Sequence, residues 1–148
     1  MAFCFFLLAQ NQEDQKICID ELDEIFGDDE RAPTMNDLRG MRYLEMCIKE
    51  TMRLYPSVPL IARNLSEDVV MGKRILPAGS DVVILPYATH RLPHIYENPE
   101  KFVPERFSAE NCEKRHPYAF LPFSAGPRNC IGHKFAIIEM KTVISKVK

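Results

Sequence analysis

The sequence contains no Gly-x-Gly-x-x-Gly turn, so it carries no evident nicotinamide site of its own. Gly126 and Gly132 enclose five residues, but no Lys-Ser/Thr follows, which excludes a P-loop. Cys-x-x-Cys is absent too: the five cysteines, at 4, 18, 47, 112 and 130, are odd in number and widely spaced. That excludes a secreted disulfide framework and fits reduced thiols in a cytosol-facing protein. Neither sign of charge dominates, with 19 Lys and Arg against 21 Asp and Glu, so no nucleic-acid surface is expected. The apolar opening runs only over residues 2–9, far short of the ~20 residues of a membrane span. It also lacks the basic leader and small-residue cleavage site of a secretory signal. It reads as a buried helix that begins abruptly, a hint of a truncated chain. No internal repeat or low-complexity tract occurs.

What is present suits one folded unit. Hydrophobic residues make up 46% and charged residues 27%, which excludes wholesale disorder. A chain of 148 residues buries roughly two thirds of its unfolded surface. Residues 2–26 read as one helix, with Ile17, Leu22, Ile25 and Phe26 at helical spacing. A polar loop, 27–33, leads to Thr34 and Asp37, which fit a capping box. Leu38, Met41, Leu44, Ile48 and Met52 then continue one helix that Pro56 and Pro59 stop. "LIARN", "VVM", "RIL" and "DVVIL" predict short antiparallel strands around the turns "GK" and "PAGS". From Pro86 to Pro122 periodicity fades into a proline-rich irregular segment, which compact domains usually keep for function. Phe135, Ile138 and Val143 mark the face of a last helix that the chain end at Lys148 cuts.

Two constellations could carry chemistry. Glu50 and Arg53, in "KETMR", share a helix face, with Arg106 of "PERF" a third member from the proline-rich segment. Spacing alone fits a solvated surface pair, although the neighbours Ile48 and Met52 are apolar. Cys130 is more specific. It stands in "FLPFSAGPRNCIGHKF", where Gly126 opens backbone angles closed to other residues and Pro122 and Pro127 limit freedom. The following helix favours a thiolate at its N-terminal end, Phe123 could shield the sulfur, and Arg128 offers a fixed charge to a carboxylate or phosphate. Such a thiolate suits a proximal haem ligand. It also suits a nucleophile with His133 as base, or a zinc site of Cys112, His116, Cys130 and His133. Zinc would explain neither Arg128 nor the Glu50–Arg53 helix. His90, His94 and His116 read as loop and surface histidines.

"KETMR", "PERF" and "FSAGPRNCIG", in this order, closely resemble the cytochrome P-450 superfamily of haem-thiolate monooxygenases, and the similarity runs through nearly all of the chain. Phe123, Gly126, Arg128, Cys130 and Gly132 each fall where the family pattern places them. "YLEMCIKETMRLYPSVPLIAR" is most similar to microsomal family-4 members, which hydroxylate fatty acids and similar lipids. The resemblance implies that Cys130 is the axial ligand of haem b and that Arg128 and Arg63 contact its propionates. It implies that Glu50, Arg53 and Arg106 form a buried structural triad. Val58, Pro59, Leu60, Ile61 and Ala62 match a segment that lines the substrate pocket.

The fold so implied is mainly α with a small antiparallel β-sheet, ending in a Cys-ligand loop followed by a helix. Residues 1–148 are expected to be the C-terminal third or so of that domain. The family's oxygen-activating helix carries an acid–Thr pair after Gly, whereas Thr34, Thr51, Thr89 and Thr142 lie in other contexts. That distal helix and an N-terminal membrane anchor are therefore expected to lie outside the chain. The whole enzyme is expected to oxidise a lipophilic substrate with O2. Its electrons would come from NADPH through a separate reductase, with cytochrome b5 as a further partner, on the cytosolic face of the endoplasmic reticulum. A truncated, inactive product of the same ancestry and a zinc-binding module are the alternatives.

Overall fold

In the computed structural model, which describes residues 1–147, the opening helix is interrupted once. Helix α1 (Ala2–Gln10) and α2 (Gln12–Phe26) meet at Asn11, so 2–26 is two helices and not the one expected. The break is chemical. Asn11 turns to φ −118°, ψ 77°, and both its backbone N–H and its side-chain amide donate to the Leu7 carbonyl. An asparagine that bonds nearby backbone competes with the helical ladder in this way.

The predicted helix through Met52 is also two. Thr34 and Asp37 form the expected capping box of α3 (Met35–Gly40), and Met41 separates it from α4 (Arg42–Leu54). Met41 offers α4 no side-chain cap. Glu21 of α2 supplies one from across the interface, accepting from the N–H groups of Arg42 (2.7 Å), Tyr43 (2.7 Å) and Leu44 (2.9 Å). A carboxylate there satisfies otherwise orphaned donors and complements the helix dipole.

Helix α4 is the centre of the packing. Leu44, Cys47, Ile48, Glu50, Thr51, Met52, Arg53 and Leu54 are all buried. Cys4, Leu7 and Leu8 of α1, Cys18 and Leu22 of α2, Leu38 of α3 and Phe102 close the apolar core around it. The strands follow the predicted segments: β1 (Ile61–Asn64), β2 (Val69–Met71), β3 (Arg74–Leu76) and β4 (Asp81–Ile84). They form two two-stranded antiparallel sheets where one was expected, β1 with β4 and the inner hairpin β2 with β3. Gly72, at φ +62°, makes the two-residue hairpin turn that needs a left-handed residue.

The proline-rich segment holds short helical turns: α5 (Pro86–Thr89), a 3₁₀ turn at Pro104–Phe107, α6 (Ala109–Glu113), and further 3₁₀ turns at Pro117–Ala119 and Gly126–Arg128. The last helix, α7 (His133–Ile144), packs on a different face from the one expected. Phe135 is 68% and Val143 41% exposed, whereas Lys141 and Ile144 are buried, with Ile137, Ile138 and Met140 against the core. Lys141 hid that stripe. Its ammonium reaches 2.5 Å from Glu45 Oε2 and donates to the Leu38 carbonyl at 2.8 Å, so a charged residue fills a core position. The chain end at Lys148 lies outside the described residues. Among them, no helix is long and apolar enough to cross a membrane.

All five cysteines are free. Cys18 and Cys47 sulfurs lie 3.4 Å apart in the core, and this contact together with burial pushes the Cys47 thiol far above its usual pKa. Cys112 and Cys130 are exposed. In ligand-free protein a thiol reagent should therefore modify Cys112 and Cys130 quickly and Cys4, Cys18 and Cys47 only on unfolding. Equal rates at all five, read by mass spectrometry, would contradict this packing.

Candidate functional site

The loop that presents Cys130 is built on backbone bonds. The Cys130 N–H donates to the Phe123 carbonyl at 2.9 Å, and the Asn129 N–H to Gly126 at 3.1 Å. Two residues in between adopt left-handed angles, Ser124 at φ +62° and Gly126 at φ +75°. Glycine suits the second, while Ser124 is a non-glycine residue in a sparsely populated region. Arg63 of β1 holds it there: Nη2 donates to Ser124 Oγ at 3.2 Å, while Nη1 bonds the Ala62 carbonyl at 2.8 Å. At Gly132 a Cβ would stand 3.9 Å from the Cys130 sulfur, an ordinary contact, so this conformation gives that glycine no steric reason of its own.

Cys130 opens onto a cavity of about 550 Å³. Phe123, Ser124 and Arg128 share the loop's wall, Val58 and Ile61 come from the segment after α4, Ile48, Thr51 and Met52 from α4 itself, and Phe3 from α1. Of the five residues expected to line a pocket, Val58 and Ile61 do so, whereas Pro59, Leu60 and Ala62 lie outside the lining. The Arg128 guanidinium is exposed and has no protein partner among the described residues. Phe123 lines the cavity but leaves Cys130 exposed, so the expected shielding of the sulfur does not occur here.

His133 is not placed as a base. Its Nδ1 lies 3.2 Å from the Cys130 carbonyl oxygen, and its ring faces Phe123 with centroids 6.1 Å apart. The zinc arrangement is also absent: among the described residues no group of three or more His, Cys, Asp or Glu side chains could hold a metal ion.

The structure does bring Glu50, Arg53 and Arg106 together. Arg53 donates Nε to Glu50 Oε2 at 2.7 Å and Nη2 to Oε1 at 2.8 Å, and both residues are wholly buried. The Arg53 fork also reaches the carbonyls of His90 (2.9 Å), Pro99 (2.7 Å) and Lys101 (3.1 Å). Glu50 accepts the Val103 N–H at 2.9 Å and lies 3.4 Å from Arg106 Nε. Tyr96 lies beneath, its ring 5.0 Å from the Arg53 guanidinium and its hydroxyl donating to the Ala119 carbonyl at 3.0 Å. The helix thus holds the irregular segment by its main chain, and that segment leads into the Cys130 loop.

His90 corrects the sequence reading most. Grouped there with loop and surface histidines, it is fully buried between the end of α4 and the irregular segment entering the loop. Sequence reasoning also missed Glu21, Ser124 and Tyr96. The only available signal was the left-handed preference of the "SAG" stretch; a carboxylate capping a distant helix leaves no local pattern.

An exposed thiol suits iron, the mainly apolar walls suit a porphyrin plane, and the unpaired Arg128 in the wall, with Arg63 bonded to the neighbouring Ser124, suits anionic propionates. The volume also lies within the ~300–1,000 Å³ usual for cofactor sites. The residues present therefore fit the haem that the resemblance implies.

The cytochrome P450 family profile matches residues 1–147. The chain is 67% identical over 147 residues to "Probable cytochrome P450 4aa1" of Drosophila melanogaster, covering 99% of this chain and 29% of that protein. It is 54% identical over 148 residues to cytochrome P450 4c3 of the same organism, covering 99% of this chain and 28% of the relative. With cytochrome P450 4V2 of Homo sapiens it shares 57% over 141 residues, 95% of this chain and 27% of the relative. The chain thus spans less than a third of the length of these relatives.

Proposed function

From the premise that the chain belongs to the cytochrome P450 family, we propose that it is the C-terminal, thiolate-bearing part of a haem monooxygenase, with Cys130 the axial iron ligand. The observation that carries this is one cavity receiving both the exposed Cys130 thiol and the unpartnered Arg128 guanidinium. When bound there, haem b supplies the activation of O2 that puts one oxygen atom into the substrate and releases the other as water. The chain's own residues prepare that site. Cys130 stands three residues before the start of α7 and shares the cavity wall with Phe123 and Arg128. Arg128, and Arg63 beside Ser124, would hold the propionates, while Phe123 and Gly126 shape the loop that carries the sulfur. Val58 and Ile61 offer apolar surface to a substrate.

For the whole enzyme the reading is hydroxylation of a fatty acid or similar lipid, supported by the mainly apolar cavity wall and by relatives in family 4. Electrons would reach it from NADPH through a separate reductase, with cytochrome b5 as a second donor. Its place would be the cytosolic face of the endoplasmic reticulum membrane. The test is haem titration of the full-length polypeptide, then turnover with reductase, NADPH and a fatty acid. One haem per chain and a product carrying one added hydroxyl are expected. Stoichiometric haem with NADPH consumption but no hydroxylated lipid would overturn the lipid assignment.

A further inference from the structure

A residue outside the cavity joins the helix core to the loop that enters it. His90 has no exposed surface, and both its ring nitrogens are engaged. Nε2 accepts the Leu121 N–H at 2.8 Å and so carries no proton. The ring hydrogen therefore sits on Nδ1, which donates to the Arg53 carbonyl, 3.3 Å away at the end of α4. The His90 carbonyl in turn accepts from Arg53 Nη1 at 2.9 Å. Leu121 stands two residues before Phe123, whose carbonyl receives the Cys130 N–H. Two backbone ties in succession, at Leu121 and at Phe123, thus lead from the core to the sulfur. Phe120 covers the imidazole with its ring centroid 5.2 Å away and packs on Phe107 at 4.6 Å.

We propose that His90 is a positioning residue for the Cys130 loop, its neutral imidazole latching Leu121 to the end of α4 and so fixing where the thiol enters the cavity. The latch works only in the neutral form, because imidazolium has no acceptor for Leu121. Its surroundings keep it neutral. The charged groups facing it are Arg53 from α4, with Glu50 behind it, and Arg91 on its own segment, while residues 120–121 bring only the Phe120 ring and the Leu121 backbone amide. Burial, reinforced by the like charges of Arg53 and Arg91, brings its pKa down to about 4. The unfolded chain binds a proton near 6.5, so the latch is fully in place above that pH and is lost as pH falls toward 4.

The inference rests on the haem-thiolate reading only for the role of the thiol; the latch itself can be read without haem. Hydrogen exchange on the full-length polypeptide, in wild type, His90→Phe and His90→Gln, is the test. His90→Phe should speed exchange at 121–130 roughly ten- to a hundredfold while α2 and α4 stay near wild type. His90→Gln, whose amide can accept from Leu121 and donate to Arg53, should restore most of the protection. In wild type the loop should loosen selectively from about pH 6.5 to about pH 4, after correction for intrinsic exchange, and His90→Gln should not. The ferrous–CO spectrum of the haem-loaded protein should lose its thiolate band over the same range. A wild type without that band at neutral pH overturns the haem-thiolate reading, while the exchange data still decide the latch. Unchanged loop exchange in His90→Phe, or loosening spread equally over α2 and α4, overturns the latch. Should His90→Phe fail to fold, the wild-type pH series decides alone, and the absence of loop-selective loosening overturns it.

Discussion

Cys130→Ser is expected to abolish the strongly red-shifted Soret band of the reduced, CO-bound full-length protein, while Cys112→Ser leaves it intact. The two thiols are the exposed ones, so accessibility alone does not separate them. Placement does. Cys112 lies within the short helix α6, whereas Cys130 precedes α7, lines the cavity and has its N–H fixed by Phe123. A serine there keeps the loop's backbone bonds, but its hydroxyl is a far weaker donor to iron and stays protonated at neutral pH. The expected loss of thiolate ligation is therefore complete, with the polypeptide still folded and its far-UV circular dichroism unchanged. Retention of the band in Cys130→Ser would sink the ligand assignment. Its loss in Cys112→Ser as well would point to a folding defect instead.

What could be read from the sequence divides by the range of the interaction. The Thr34–Asp37 cap and the strand boundaries around Gly72 are local: the residues that fix the angles sit at the turn itself. The gathering of Cys130, Gly126 and Arg128 into one loop was legible for the same reason. The breaks at Asn11 and Met41 were not, because apolar spacing runs across both. One break depends on an asparagine bonding backward and the other on Glu21, twenty residues or so away in the chain. His90 was misread because polarity was taken as exposure, and Lys141 was passed over as a core position. Lys141 is buried because Glu45 and the Leu38 carbonyl come to it, and His90 because Arg53 and Leu121 meet both ring nitrogens. A buried polar group is decided by partners that only the fold assembles.

Glu50→Ala should leave little folded protein, and the reason lies in how fully Arg53 is used. All five N–H donors of that guanidinium are engaged: two on the Glu50 carboxylate and three on the carbonyls of His90, Pro99 and Lys101. Both side chains have no exposed surface. Removing the carboxylate strands a buried cation and leaves the Val103 N–H without its acceptor. Breaking such a pair costs about 3–5 kcal/mol, against a total stability of roughly 5–15 kcal/mol for a domain. Arg53→Lys should also be poorly tolerated, since an ammonium cannot span three carbonyls and a carboxylate at once. Arg106→Ala should cost less. Its Nε has no acceptor in hydrogen-bond geometry and lies 3.4 Å from Glu50, while Nη2 reaches the carbonyls of Glu97 and Asn98 toward the surface. Urea midpoints of the full-length variants should therefore fall in the order wild type, Arg106→Ala, then Arg53→Lys and Glu50→Ala. The first region to lose exchange protection should be 97–107, which these two charges hold by its main chain. A Glu50→Ala protein with a wild-type midpoint and reduced turnover alone would move this carboxylate from structure to chemistry.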